Sequence, residues 1–268
     1  MGLKKTDKYL YRYMSFHSFV DLVLTSTLKL VRPRLWEDPY EGYLFQKIRS
    51  PEGKNEILKI INKIPPNPAT DSLLGVAEMF EKTFYAQSWS KCAESDAMWR
   101  IYNYENKTIR IEVLESNIRL IENIEIIDID YNDSINLESE IDKLCLQDSK
   151  LDFSQLYSIK RTAFSHEQEV RLIYRDHNVL NEKTPEEIET FKGLIGTKFE
   201  QVYHDLKKNS LYKSSDISII KIEDINTFIN SVLLHPQSSD WFDHTLELFC
   251  TECNLNYLGK SKLYENIK

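Results

Sequence analysis

The stretch Lys160–Tyr174 reads KRTAFSHEQEVRLIY, and we expect the rest of the chain to fold around it. From Val170 onward, β-branched, aliphatic and aromatic residues form a short run that is typical of a buried strand. If the extended backbone begins by Glu167, then Glu167, Glu169 and Arg171 occupy alternate positions and project from one face. The stretch therefore predicts two carboxylates and one guanidinium on a single small surface.

The two carboxylates of this stretch need a neighbouring cation or polar group, because like charges about 7 Å apart on one strand face repel each other. Arg171 is assigned to structure, since it pairs with Glu167 or Glu169 but neutralises only one of them fully. An edge strand with a charged outer face, held by cross-strand salt bridges, explains the pattern equally well. Both interpretations, a binding site and an exposed strand face, remain open at this point.

The composition is that of an ordinary globular protein, with 41% hydrophobic and 28% charged residues among 268. This excludes the disordered, collagen-like and membrane classes of protein. Gly and Pro are sparse, and nothing resembles a long linker. We predict a single domain over residues 1–268, with helical insertions at about 51–82 and about 131–160.

The charge balance restricts the class of partner. A net charge of −8 and a pI near 5.4 disfavour a broad basic face that grips nucleic acid. The sequence has no run of 18 apolar residues and no secretory signal pattern, so we expect no membrane partner and a cytoplasmic location.

The periodicity of apolar residues predicts a mixed order of strands and helices. The fold class that follows is α+β, with mainly antiparallel sheets and peripheral helices. Besides the central strand, the predicted strands are 9–13, 28–31, 83–90, 108–113, 124–129, 195–203, 217–222 and 231–234, and the predicted helices are 16–24, 52–63, 70–82, 94–102, 135–147, one that starts at Thr184, and 239–249.

Two other places carry polar or aromatic candidates for a site. Arg12 lies between tyrosines on the first predicted strand, where it is either a surface cation or a residue that faces a ligand. The segment Arg32–Gly42 contains two prolines and a glycine, so it predicts a loop. Trp36 in this loop either takes part in a site or packs under an Asp-Pro turn.

Several of these pieces, taken in order, resemble the bacterial family known as "domain of unknown function 2971". The resemblance covers about residues 9–250. In this chain Glu37 stands where that family commonly has Asn before the Asp-Pro pair. The matching pieces are Leu10–Tyr13, Trp36–Gly42, Ser88–Ser90, Met98-Trp99 with Tyr102, Ile109–Val113, Lys160-Arg161 and Glu167–Leu172.

A more distant resemblance is to the Arg-Ser-Glu class of ADP-ribosyltransferases, which implies a split sheet and NAD as the substrate. Arg12 matches the basic residue of that class, Ser88 or Ser90 the serine, and Glu167 with Glu169 the acidic pair. The resemblance also implies a bacterial toxin or phage-defence effector. The acceptor of ADP-ribose stays open between a protein, a nucleic acid and a small molecule.

The chemistry of NAD cleavage explains why these residue types are needed. The bond between nicotinamide and ribose breaks through an oxocarbenium-like state, which a nearby carboxylate stabilises, and we assign this role to Glu169. Glu167 is positioned to polarise or deprotonate the incoming nucleophile. Paired N–H groups of Arg12 suit a pyrophosphate, and Ser88 or Ser90 suits hydrogen bonding near the ribose. The residues assigned to stacking on the nicotinamide ring are Tyr13, Trp36 and Tyr85.

Two other functions compete with this assignment. In a metal-dependent nuclease or phosphoesterase, Mg²⁺ binds between carboxylates, here Asp38, Glu41, Glu167 and Glu169. In a non-catalytic interaction module, the acidic strand face and the Trp36 loop bind a partner protein. The sequence contains no Rossmann glycine motif, no P-loop, no HExxH and no GxSxG, and the single CxxC at 250–253 has no second ligand pair, which makes zinc unlikely.

Overall fold

The central strand forms, but it begins two residues later than the charge pattern predicts. In this computed structural model, which describes residues 8–63, 74, 77, 81–146, 153–176 and 215–265, the strand spans Glu169–Arg175. The preceding Thr162–Glu167 form a 3₁₀ helix, and Gln168 joins the two with a left-handed backbone, φ 42° and ψ 48°. The prediction that Glu167 lies on the strand is therefore wrong, because a left-handed residue interrupts the alternation of side chains.

The elements follow the predicted order in the parts of the chain that the structure describes. The strands are β1 (Tyr9–Met14), β2 (Thr27–Val31), β3 (Phe84–Ser90), β4 (Ile109–Leu114), β5 (Ile124–Asp128), β6 (Asp130–Tyr131), β7 (Ile159–Lys160), β8 (Glu169–Arg175), β9 (Ile217–Lys221), β10 (Ile229–Leu234) and β11 (Tyr257–Lys260). The helices are α1 (Phe16–Thr25), α2 (Tyr43–Ile48), α3 (Pro51–Ile61), α4 (Asp96–Ile101), α5 (Glu115–Arg119), α6 (Leu137–Leu146), α7 (Ile225–Phe228) and α8 (Asp240–Glu252), with further 3₁₀ helices at Pro33–Leu35 and Phe153–Tyr157.

The sheet is open and mostly antiparallel, with helices around it. Its strand order is β11-β10-β4-β1-β3-β2-β9, and β8 pairs with β3 and with β5. The pairs β10–β11 and β6–β7 are parallel. The predicted class, mixed and mainly antiparallel with peripheral helices, is confirmed. The elements that the sequence did not predict, such as α2, α5 and α7, are four to six residues long, too short to show a helical period.

Strand β3 holds the sheet together at a fork. One edge of β3 pairs with β8 along all seven residues. The other edge meets β2 only at Ala86, opposite Val31, and β1 only at Ser90, opposite Tyr11. Strands β1 and β2 therefore share one edge of β3 and leave an opening between them. The side chain of Gln87 reaches across this opening, where its Nε2 donates to the Lys29 carbonyl at 2.9 Å.

The two faces of the sheet bury different clusters. Tyr85 and Trp89 face the larger apolar cluster, whereas Phe84 and Ala86 face a second cluster that includes residues of α2 and α3. Since β8 is paired on both edges and Arg171 is fully buried, the edge-strand interpretation is wrong. Glu169 and Arg171 of β8 lie inside the protein, where each needs a partner.

Helix α1 forms as its sequence predicts and lies beside the fork. Ser15 caps it, with its Oγ accepting from the Ser18 amide at 3.2 Å. The buried residues Phe19, Leu22 and Val23 recur at helical spacing and pack into the larger cluster.

Some predictions fall on parts of the chain outside the described residues. These are most of the predicted helix 70–82, the helix that starts at Thr184 and the strand 195–203. The first predicted insertion begins with α3, and the second contains α6 and a 3₁₀ helix. The single-domain prediction stays a prediction. Within the ranges that the structure describes, no helix has both the length and the apolar character needed to cross a membrane.

Candidate functional site

A cavity of about 200 Å³ lies at the fork of the sheet. Residues of β1, β2, β3 and α4 contribute to its wall, together with the 3₁₀ helix that precedes β8. Seven of the eight predicted site residues border it, so the fold brings together segments that are far apart in sequence. They are Arg12, Tyr13, Trp36, Ser88, Ser90, Glu167 and Glu169.

Tyr85 is the predicted site residue that the structure places elsewhere. It is 1% exposed, its hydroxyl donates to the Ser215 carbonyl at 2.8 Å, and the guanidinium of Arg32 lies 4.6 Å from its ring centroid. The prediction that Tyr85 stacks on a ligand in this cavity is wrong. Side-chain alternation does not exclude Tyr85 from the cavity, since Gln87 and Trp89 share its face of β3 and border the cavity; its position along the strand keeps it away.

Glu169 is held by three side chains. Its Oε1 accepts from Ser88 Oγ at 2.6 Å and from Arg171 Nε at 2.7 Å, and its Oε2 accepts from Lys160 Nζ at 2.7 Å. The side chain of Glu169 is only 1% exposed. The carboxylate is therefore fixed in orientation and keeps its charge despite burial.

Lys160 is the shared cation that the sequence interpretation missed. Its Nζ lies 2.7 Å from Glu169 Oε2, 2.7 Å from Glu167 Oε2 and 3.4 Å from Glu41 Oε1. Lys160 belongs to β7, which pairs with β6 and not with the main sheet. Lys160 and Glu169 lie on different elements, so neither helical nor strand spacing predicts that they meet. Only the tertiary structure reveals the contact.

Arg171 links the strand to the Trp36 loop. It binds Glu169 as predicted, and its other nitrogens donate to Glu41 Oε1 and to the Tyr157 carbonyl, each at 2.6 Å. The Trp36 ring lies 4.3 Å from the guanidinium carbon. Glu41 and Trp36 thus fix the Trp36 loop against the buried guanidinium of Arg171.

The loop itself is an Asp-Pro turn held by local contacts. Asp38 Oδ1 accepts from the Tyr40 amide at 3.0 Å, and Asp38 Oδ2 accepts from Arg161 Nε at 3.1 Å. Trp36 packs edge-on against Tyr157, with ring centroids 5.9 Å apart, and it also borders the cavity.

The arrangement of charges bears on the two competing functions. Three carboxylates, Glu41, Glu167 and Glu169, surround the Lys160 ammonium, so a cation of the protein occupies the position that Mg²⁺ needs. Asp38 points to Arg161 instead. Within the described ranges, no three His, Cys, Asp or Glu residues are grouped to hold a metal ion. The acidic strand face of the interaction-module hypothesis is buried.

The pKa values of the cluster follow from burial and from the number of cationic contacts. Burial alone raises the pKa of Glu169, but Arg171 and Lys160 outweigh it and lower the pKa to about 2. Burial raises the pKa of Glu41, because Arg171 and Lys160 offset it only in part. Burial lowers the pKa of Lys160, but Glu169 and Glu167 outweigh this and leave it above its ordinary value.

Stability should depend on pH through Glu169. Its pKa lies below the ordinary value of 4.5, so its ionised form stabilises the fold above about pH 4.5, and this contribution is lost as the pH falls towards 2. We expect Glu169→Gln to be roughly 3 kcal/mol less stable than wild type at neutral pH, with the difference shrinking below pH 4.5. Urea unfolding of both proteins between pH 7 and pH 2.5 measures this. A difference that stays constant with pH would contradict the assignment of the charge to Glu169.

The two serines of β3 have different partners. Ser88 Oγ donates to Glu169, whereas Ser90 Oγ donates to the Glu167 carbonyl at 2.7 Å and accepts from the Cys92 amide at 3.0 Å. Ser88 therefore orients the buried carboxylate. Ser90 holds the turn from which Glu167 enters the cavity.

Arg12 differs from the other charged residues of the site. Its Nη1 is buried and has no hydrogen-bond partner among the described residues. Burial lowers the pKa of Arg12 to about 10, with Tyr102 and Tyr104 offsetting part of the effect. A buried guanidinium nitrogen without a hydrogen-bond partner is costly, so this atom is suited to an anionic ligand.

Aromatic side chains complete the wall. Tyr13 packs edge-on against Trp99, with ring centroids 4.9 Å apart, and stacks on Tyr102 at 6.0 Å. Tyr102 is among the residues that carry the family resemblance, but the sequence assigned it no role. Burial raises the pKa of Tyr102, the charge of Glu167 raises it further, and the charge of Arg12 lowers it. Tyr102 and Trp36 are better placed for stacking on a ligand than Tyr13, because both are half-buried whereas Tyr13 is buried.

Comparisons of the chain with models of known families, with curated protein sequences and with solved structures find no match. The family resemblance therefore stays a prediction, and function is argued from the site itself.

Proposed function

We propose that this chain is an ADP-ribosyltransferase that cleaves NAD and transfers ADP-ribose to an acceptor. The observation that carries the proposal is that Arg12, whose buried Nη1 has no hydrogen-bond partner among the described residues, borders the same cavity as Glu167 and Glu169. The opening between β1 and β2 supports an ADP-ribosyltransferase-like split sheet. The order of Arg12, Ser88 and Glu169 along the chain also supports it.

In the proposed reaction, the bond between the ribose C1′ and the nicotinamide nitrogen breaks, and nicotinamide leaves with the electron pair. The acceptor then forms a bond to C1′ and loses a proton. Positive charge develops on the ribose between these events. The cluster of three carboxylates and two cations has one excess negative charge beside the cavity, which stabilises that state.

The two acids take different parts in this reaction. Glu169 is fixed by Ser88, Arg171 and Lys160, so it acts as a permanent negative charge and not as a proton carrier. The side chain of Glu167 is 15% exposed, and its one hydrogen-bond partner within the described residues is Lys160. Glu167 is therefore the carboxylate that is free to turn towards an acceptor and take its proton.

The anionic part of NAD belongs at Arg12. A pyrophosphate supplies oxygen acceptors to the guanidinium and replaces the missing hydrogen bond of Nη1. Nicotinamide then lies nearer the acids, with Tyr102 and Trp36 available for stacking.

Arg12→Met gives opposite expected effects on stability and binding. The free energy of unfolding should rise by about 1–3 kcal/mol, because a buried donor without a partner is removed. The affinity for NAD should fall about 10- to 100-fold, since the bonds to the pyrophosphate are lost. Urea unfolding and calorimetric titration with NAD measure the two quantities. Lower stability with unchanged NAD affinity would assign Arg12 to structure instead.

Ser88→Ala and Ser90→Ala form a matched pair. Ser88→Ala should slow nicotinamide release about tenfold while the melting temperature changes little, because Glu169 keeps both cations. Ser90→Ala should cost about 1–3 kcal/mol of stability, because the Cys92 amide and the Glu167 carbonyl lose their partner. Stability curves and initial rates of both variants separate the roles. Equal losses of rate in the two variants would contradict the assignment of Ser88.

The direct test uses the purified chain with NAD labelled in the adenylate part and a bacterial cell extract. We expect nicotinamide release together with transfer of label to a macromolecule or small molecule, unaffected by EDTA. Glu169→Gln serves as the inactive control. Absence of nicotinamide release with every extract fraction would overturn the proposal, and activity that EDTA abolishes would favour the metal-dependent alternative.

A role as a bacterial toxin or phage-defence effector is part of the same proposal. Induced expression should arrest bacterial growth or limit phage replication in wild type but not in Glu169→Gln. Plate counts and plaque counts at equal protein levels measure this.

A further inference from the structure

The cavity beside Glu169 is too small for the whole of the proposed substrate. Its volume of about 200 Å³ lies below the ~300–1,000 Å³ of typical ligand sites. It accommodates only part of a dinucleotide. The remainder of the molecule needs a second space that continues from Arg12.

A second cavity of about 330 Å³ lies next to the first. Three residues, Arg12, Lys29 and Gln87, belong to the walls of both cavities. The hydrogen bond from Gln87 Nε2 to the Lys29 carbonyl holds β2 against β3 at this boundary. The two cavities therefore meet at the opening between β1 and β2.

The wall of the second cavity combines the properties that an adenosine group needs. Met14, Leu22 and Leu28 are buried and apolar, which suits the face of a purine ring. The wall also contains the polar residues Ser18 and Asp21 of α1, and a carboxylate is a good acceptor for the two ribose hydroxyls.

The boundary between the cavities carries two cations. Arg12 borders both cavities, and its buried Nη1 has no hydrogen-bond partner among the described residues; Lys29 forms an exposed ion pair with Asp21. An exposed pair of this kind is worth little and is easily exchanged. Two cations at one boundary match the two negative charges of a pyrophosphate, which joins the two halves of NAD.

We infer that the second cavity binds the adenosine half of NAD, with the pyrophosphate at Arg12 and Lys29. This inference rests on the proposed function, because it assigns the two halves of the same substrate to two adjoining cavities. It predicts that the protein releases nicotinamide from NAD far more efficiently than from nicotinamide mononucleotide, which lacks the adenosine half.

The experiment fills the second cavity from helix α1. Ser18 is exposed and borders the cavity, so Ser18→Trp blocks it with little strain, and His17→Trp is a second variant of the same kind. Leu24 is 68% exposed and does not border the cavity, so Leu24→Trp is the matched control. The ligands are NAD, nicotinamide mononucleotide and adenosine 5′-monophosphate, with the full chain in every case.

Wild type should bind adenosine 5′-monophosphate in calorimetric titration. Ser18→Trp should weaken this binding and raise the KM for NAD at least tenfold, while the rate with nicotinamide mononucleotide stays the same. Leu24→Trp should change none of these. No binding of adenosine 5′-monophosphate to wild type, or unchanged binding and KM in both blocking variants, would overturn the inference.

The same measurements separate this inference from the proposed function. Binding of adenosine 5′-monophosphate that Ser18→Trp abolishes, without any release of nicotinamide from NAD, would support an adenosine nucleotide site and refute the transferase. Release of nicotinamide with an unaltered KM in both blocking variants would support the transferase and refute the second cavity.

Discussion

Arg171→Met is expected to lower the free energy of unfolding by about 3–5 kcal/mol, the cost of removing one partner from a buried ionic network. Arg171 is fully buried and binds both Glu41 and Glu169. Methionine fills much of the same space but leaves the two carboxylates with Lys160 as their shared cation. Urea unfolding at neutral pH measures the loss.

The matched control for this prediction is Arg119→Met. Arg119 is exposed and forms an i,i+4 pair with Glu115, a contact worth about 0.3–0.5 kcal/mol. If Arg171→Met and Arg119→Met lower the free energy of unfolding by the same small amount, Arg171 is not the central cation of the network. A partial recovery of Arg171→Met at low pH is also expected, since protonated carboxylates need no cation.

Glu169→Gln should reduce nicotinamide release about 100- to 1000-fold, the usual loss when a preorganised electrostatic contact to the transition state is removed. Glutamine keeps the size of the side chain and removes only the negative charge. The cluster then has no excess negative charge beside the ribose. Initial rates under conditions where both proteins are folded measure the effect.

Two controls show whether the lost rate comes from chemistry. Glu105→Gln changes an exposed carboxylate and should retain the wild-type rate. Calorimetric titration should show that Glu169→Gln still binds NAD, because Arg12 is unaltered. Full activity of Glu169→Gln would show that Glu169 takes no part in the reaction. Loss of NAD binding by Glu169→Gln would show that the substitution has disrupted the cavity.

Local pattern was enough to predict much of the fold. Short runs of strand-forming residues, with alternation at 108–113, placed β1, β3, β4, β5 and β10 close to their observed bounds, because strand preference is a property of each run by itself. The Ser15 cap and apolar spacing likewise predicted α1. These features depend only on neighbouring residues.

The site shows the limits of such patterns. Alternation predicted that Glu167 lies on the strand. In the structure Glu167 ends a 3₁₀ helix, the left-handed Gln168 separates it from the strand, and its carboxylate still contacts Lys160. Arg12 and Tyr13 lie on opposite faces of β1, and both border the cavity only because the sheet opens there.

The sequence by itself determined which charged and aromatic residues are present and which strands carry them, since side-chain alternation is a local property of the backbone. Only the tertiary structure decided which charges neutralise each other. Lys160, Glu41 and Arg171 meet through contacts between segments up to 130 residues apart, and Coulomb energy depends on distance in space and on burial, not on separation along the chain. The buried Nη1 of Arg12, which has no hydrogen-bond partner among the described residues, has the same origin, because a missing partner exists only once the neighbouring groups have been placed.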